Sequence, residues 1–166
     1  MKKNIVLIGM PACGKSVTGV LLAKILHKKF IDGDLVIQET TGKTLQQIID
    51  EMGNETFKEI ERQVLCGLKA RNAVIATGGS AVYYPDAMAE LGRDGIIVYI
   101  KISIEQVKDR LNNITTRGVA MAPGQTLDSL YEERSALYEK YADVVVSANL
   151  GESIEETVSK IVEAVK

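Results

Sequence analysis

A chain of 166 residues and 18.1 kDa, 46% hydrophobic and 25% charged, has the composition of one globular domain with a single core, which excludes disordered and fibrous classes. Twenty Lys and Arg against 22 Asp and Glu leave a formal charge of −2, so no global basic field exists to hold nucleic acid or an anionic membrane, and any anionic ligand must be caught locally. No apolar run reaches the ~18–20 residues of a transmembrane span, and Met1-Lys2-Lys3 opens onto a short strand-like run without the cleavage site of a secretory leader. Cys13 and Cys66 make neither a disulfide framework nor a zinc-binding spacing. A cytoplasmic monomer, with residues 1–166 as a single domain, is expected.

Asn4 to Ile8 is a β-branched apolar run ended by Gly9, and Val17 to Leu26 carries apolar residues at helical spacing. This predicts a strand, a glycine loop and a helix over Lys15–Lys28. Short apolar runs recur at Phe30–Asp32, Val74–Ala76, Ile96–Ile102 and Val144–Ser147, separated by helix-length segments. Strands too apolar to alternate predict a parallel sheet covered on both faces, an α/β fold. Helices are predicted over Leu35–Thr41, Leu45–Met52, Asn54–Ala70, Pro85–Leu91, Ile104–Leu111, Leu127–Ala142 and Ser153–Val165. Thr44 before Leu45-Gln46-Gln47, and Ser153-Ile154-Glu155-Glu156, have the capping-box pattern, and Pro85 suits a first helical position. His27, at the end of its predicted helix, is read as structural. Asn112–Gln125 lacks regular apolar spacing and holds Gly118, Pro123 and Gly124, so it reads as a long loop, and loops of this length are uncommon in compact domains unless they are lids, binding loops or disordered.

Gly9-Met10-Pro11-Ala12-Cys13-Gly14-Lys15-Ser16 matches the phosphate-binding loop G-x-x-x-x-G-K-[ST], between a strand and a helix as that loop requires. Backbone N–H groups of Ala12, Cys13, Gly14, Lys15, Ser16 and Val17 curl around phosphate at the positive end of the helix. The Lys15 ammonium neutralises β- and γ-phosphate charge, and the Ser16 hydroxyl ligates magnesium. Because the loop uses backbone donors there, the Cys13 side chain is expected to face outward. A nucleotide-binding protein using ATP and Mg2+ follows. Phe30-Ile31-Asp32-Gly33-Asp34 then places two carboxylates at alternate positions where a parallel sheet puts its ligands. One could hold magnesium through water while the other meets an acceptor hydroxyl, taking or orienting its proton. The other reading of this segment is a strand-end turn in which Asp34 caps the helix from Leu35.

Five segments, in order and spacing, resemble successive motifs of the shikimate kinase family over essentially the whole chain: Phe30-Ile31-Asp32-Gly33-Asp34, Thr41-Gly42-Lys43-Thr44, Gly53 through Glu61, Ala76-Thr77-Gly78-Gly79-Ser80-Ala81-Val82, and Arg134-Ser135-Ala136-Leu137-Tyr138. The resemblance implies a small P-loop kinase, a three-layer sandwich with a five-stranded parallel sheet in order 2-3-1-4-5, a lid near 112–125 and an acceptor-binding segment near 33–61. It further implies Asp32 serving the metal, Asp34 the acceptor hydroxyls, Gly78 and Gly79 close backbone approach to the acceptor, Arg134 its carboxylate, and Arg117 the phosphates from the lid. Arg110 reads either as a nucleotide contact or as a charge on its helix dipole.

The chain departs from the family pattern at four places. Lys58 stands where the family has arginine, so it offers one compact charge in place of a planar fork, or pairs at i,i+3 with Glu61. Ser80 replaces a third glycine and is expected to put a side chain beside the acceptor. Arg117-Gly118-Val119-Ala120 keeps the charge of the family's R-P-L-L, and Val17 replaces a threonine. Taken alone, Gly78-Gly79 could be a tight turn and Arg134 part of a solvated helix face, while Tyr131, Tyr138 and Tyr141 read as packing against the sheet. The leading expectation is a kinase transferring phosphate from ATP to a hydroxyl of a small carboxylate-bearing metabolite, with shikimate first. A gluconate- or homoserine-type acceptor comes second, and a non-catalytic nucleotide-binding module third.

Overall fold

The structure, a computed structural model, describes residues 2–112 and 123–166. Strands β1 (Asn4–Ile8), β2 (Lys29–Asp32), β3 (Ala73–Ala76), β4 (Gly95–Lys101) and β5 (Val144–Ser147) form one parallel sheet in the order β2-β3-β1-β4-β5. β1 is central: Ile5 pairs with Val74 on one side and with Ile96 on the other. Every residue of β1 and β3 is buried, because helices cover both faces, and this is why these strands carry unbroken apolar runs.

The helices are α1 (Lys15–Ile25), α2 (Gly33–Thr41), α3 (Leu45–Gly67), α4 (Pro85–Asp94), α5 (Ile104–Asn112), α6 (Leu127–Tyr141) and α7 (Ile154–Ala164). Right-handed crossovers fix their sides. From β1 the chain moves across β3 to β2, then turns back through β3 to β4 and β5. α1 therefore lies on one face, where it packs against α7, while α3, α4 and α6 follow the reverse direction and lie on the other. The chains leaving β1 and β3 part to opposite faces, which opens a crevice at the carboxyl edge where parallel α/β sheets bind ligands.

Thr44 and Gln47 form the capping box at the start of α3, Ser153 accepts from the Glu156 N–H at 3.2 Å, and Pro85 begins α4. The two helices expected on either side of Gly53 meet end to end in α3, with Gly53 non-helical at φ 85 and ψ 164. α1 ends three residues before the expected Lys28. There the chain turns through His27 in the left-handed region (φ 54), with Lys28 N–H donating to Ala23 O at 2.8 Å and His27 N–H to Lys24 O at 3.4 Å. His27 thus closes a helix end. α2 starts at Gly33, not Leu35, because the carboxylate of Asp32 accepts from the Asp34 and Leu35 N–H groups. The cap is Asp32 and not Asp34.

Two hydrophobic clusters result. One surrounds the sheet; the other, made of Ile37, Leu45, Ile48 and Phe57, joins α2 to α3. Among the described residues no helix is long and apolar enough to cross a membrane.

Candidate active site

The loop after β1 wraps the start of α1. Lys15 is buried, and its Nζ donates to Gly9 O at 2.7 Å and Met10 O at 2.9 Å, with Cys13 Sγ at 3.5 Å. Cys13 is not turned outward as expected. It is 3% exposed, and its Sγ lies 2.9 Å from where a Cβ at Gly9 would be, so the thiol fills space that the glycine leaves. Across the loop, Arg110 Nη1 donates to Ala12 O at 2.9 Å, which brings the guanidinium from α5 onto the phosphate loop. Val17 is exposed and offers the loop only its backbone.

Asp32 joins the loop to the end of β2. Its Oδ2 accepts from Ser16 Oγ at 2.9 Å while Oδ1 accepts from Asp34 N–H at 3.0 Å. A single carboxylate therefore starts α2, holds the loop serine and orients the backbone of Asp34. Ser16 and Asp32 together are hard oxygen donors of the kind a magnesium ion takes.

The Gly78-Gly79-Ser80 strip after β3 forms the other wall, and its glycines are required by close approach. A Cβ on Gly78 would lie 2.5 Å from Glu61 Oε2 and 2.9 Å from Asp34 Oδ1; one on Gly79 would lie 2.8 Å from Pro11 Cδ and 2.9 Å from Arg134 Nη1. More than a tight turn, the strip touches the phosphate loop, both carboxylates and the α6 guanidinium. Tyr138 Oη, fully buried, donates to Gly79 O at 2.5 Å, and its ring lies 5.0 Å from that of Tyr99. Burial pushes the phenol of Tyr138 up, so it remains a donor.

Arg134 is 1% exposed, which rules out the solvated helix face. Its Nε donates to Tyr83 Oη at 3.4 Å and its guanidinium lies 5.4 Å from the Tyr83 ring centroid; Lys58 Nζ lies 5.8 Å from the same centroid. Tyr83 in turn donates to Glu133 Oε2 at 2.9 Å. Lys58 pairs with Glu55 at 3.7 Å rather than with Glu61. The reason is burial: Glu61 is enclosed, where Ser80 Oγ and Tyr84 Oη, the latter at 2.8 Å, both donate to its Oε1. Ser80 spends its hydroxyl on Glu61. Burial raises the Glu61 carboxyl to about 6 against the two hydroxyl bonds and the charge of Arg134, and burial beside Glu61 pushes the Tyr84 phenol up as well.

Tyr83 and Tyr84 carried no signal in the sequence. Glu61 and Tyr138 each end one of the family-like segments, but the sequence offered Glu61 only as a partner for Lys58 and Tyr138 only as packing against the sheet. Arg117 and most of the expected lid, 113–122, lie outside the described residues.

A shikimate kinase family model matches residues 11–166. A shikimate kinase of Francisella tularensis subsp. novicida is 39% identical over 163 residues, covering 96% of this chain and 92% of the relative. Among solved structures, a shikimate kinase from Acinetobacter baumannii in complex with shikimate is 30% identical, covers 99% of this chain and 93% of that one, and superposes with a TM-score of 0.87. The Aquifex aeolicus shikimate kinase is also 30% identical, over 98% of this chain and 95% of that one, with a TM-score of 0.81. Matched over nearly its full length in sequence and in fold, the chain belongs to the shikimate kinase family.

Proposed function

We propose that this chain transfers the γ-phosphate of ATP to the 3-hydroxyl of shikimate. The observation that carries the reading is the convergence of a phosphate loop, the Asp34 carboxylate and the buried Arg134 on one glycine strip. Backbone N–H groups from Ala12 to Val17 and the Lys15 ammonium hold the β- and γ-phosphates, with Arg110 over the loop and Arg117 supplied from the lid. Ser16 and Asp32, 2.9 Å apart, would hold Mg2+, which when bound neutralises charge on the phosphate oxygens. Residues 33–61 form the acceptor arm. Arg134 and Lys58, both against the Tyr83 ring, take the acceptor carboxylate, and Gly78 and Gly79 let its ring approach the backbone.

Asp34 orients the acceptor hydroxyl and accepts its proton as the hydroxyl oxygen bonds to the γ-phosphorus and the bond to the β–γ bridging oxygen breaks, releasing ADP. Cys13 and Cys66, both free thiols, suit the reducing cytoplasm in which such chemistry runs. A coupled ADP-release assay over a panel of hydroxy acids tests the reading. Release should depend on shikimate and not on gluconate or homoserine; a rate that responds to either of those and not to shikimate would overturn it.

A further inference from the structure

Glu61 is a carboxylate the phosphoryl-transfer steps above do not use, yet it is 1% exposed at the centre of the acceptor wall. A buried carboxylate needs donors. Among the described residues, those that meet Oε1 are two neutral hydroxyls, Ser80 Oγ at the end of the glycine strip and Tyr84 Oη just after the turn that follows it. Its other oxygen, Oε2, faces Gly78 from the same side as Asp34 Oδ1, while Arg134 Nη1 faces Gly79. The strip is therefore set between a pair of carboxylates and a guanidinium, and its own Ser80 ties it to one member of the pair.

We propose that Ser80 is a positioning residue for the acceptor: with Tyr84 it fixes the ionised Glu61 carboxylate behind Gly78, and thereby sets where Asp34 and Arg134 stand around the acceptor. The proposal rests on the acceptor reading of Asp34 and Arg134. It turns the serine from a side chain lining the pocket into a strut behind it. Among the described residues, the groups facing Glu61 are Ser80 from the strip, Tyr84 after the turn, Asp34 from α2 and Arg134 from α6; on its own helix Lys58 is engaged with Glu55 and Tyr83. Of the facing groups, Asp34 and burial favour the protonated form, while the two hydroxyls and Arg134 favour the ionised one. Removing a hydroxyl must move the titration of Glu61 upward from about 6.

The experiment follows the side-chain carboxyl of Glu61 by carbon-13 NMR against pH in the substrate-free protein, assigned with Glu61→Gln, in the parent, Ser80→Ala and Ser80→Thr. Steady-state kinetics run beside it. Ser80→Ala should raise the Glu61 midpoint, shift the inflection of kcat/KM for shikimate to higher pH with it, and raise KM for shikimate several-fold with KM for ATP unchanged. Ser80→Thr, which keeps the hydroxyl, should return all three toward the parent. If Ser80→Ala does not fold, Tyr84→Phe removes the other donor to the same oxygen and should move the midpoint in the same direction. An unmoved midpoint overturns the proposal, as does a moved midpoint with unchanged KM and inflection. The titration needs no substrate, so a parent inactive on shikimate sinks the acceptor reading, whereas an active parent with an unmoved titration sinks this one.

Discussion

Lys15 is held by the carbonyls of Gly9 and Met10, so its ammonium lies within the phosphate loop and not in the hydrophobic core. Lys15→Ala should therefore lower kcat for ADP release by about a hundredfold or more, the scale of losing one preorganised charge contact to the transferring group. The circular dichroism spectrum should stay that of the parent. Retained turnover in the folded variant would refute the phosphate assignment. At the same scale, Asp32 shows how a residue can be legible in type and not in detail. Two carboxylates spaced by two were readable as a ligand pair, but which of them caps α2 depends on a β2 end that lets Asp32, not Asp34, reach the N–H groups of Asp34 and Leu35. Cys13 misled for a related reason. The loop's curl, not the residue's chemistry, decides that the thiol fills the space beside Gly9.

α2 and α3 carry a small core of their own, in which Phe57 is 3% exposed. Phe57→Ala should cost about 3–5 kcal/mol of the packing that joins this pair, as large-to-small core changes do. Because the cluster is separate from the one around the sheet, hydrogen exchange should quicken across residues 33–61 while β1 amides stay protected. Equal acceleration in β1 would show that the arm has no independent core. The strands were legible as elements because burial on both faces demands unbroken apolar runs, and α3, α4 and α7 were legible from Thr44, Pro85 and Ser153 at their starts. The end of α1 was not, since a histidine in the left-handed region has no sequence mark comparable to a glycine. Nor was the 3-10 turn of Ala81–Tyr83, which has no side-chain cap to announce it.

For the molecule as a whole, the parting of the chains that leave β1 and β3 to opposite faces of the sheet determines where the candidate site sits. It separates the loop after β1 from the strip after β3, and Asp32, Gly78 and Gly79 all fall at the carboxyl edge beside that crevice. The residues proposed to meet donor and acceptor were legible because each belongs to a local motif. The cluster of Glu61, Ser80 and Tyr84 was not, since its bonds span 19 and 23 residues and arise only when α3 packs against the turn after β3.

Whether this arrangement moves phosphate from ATP to one hydroxyl of shikimate is read most directly by phosphorus-31 NMR of the protein with ATP, Mg2+ and shikimate. A new phosphomonoester resonance should grow with ADP, coupled to the proton on carbon 3 of shikimate. A mixture in which ATP persists, or yields only ADP and inorganic phosphate, would contradict that transfer.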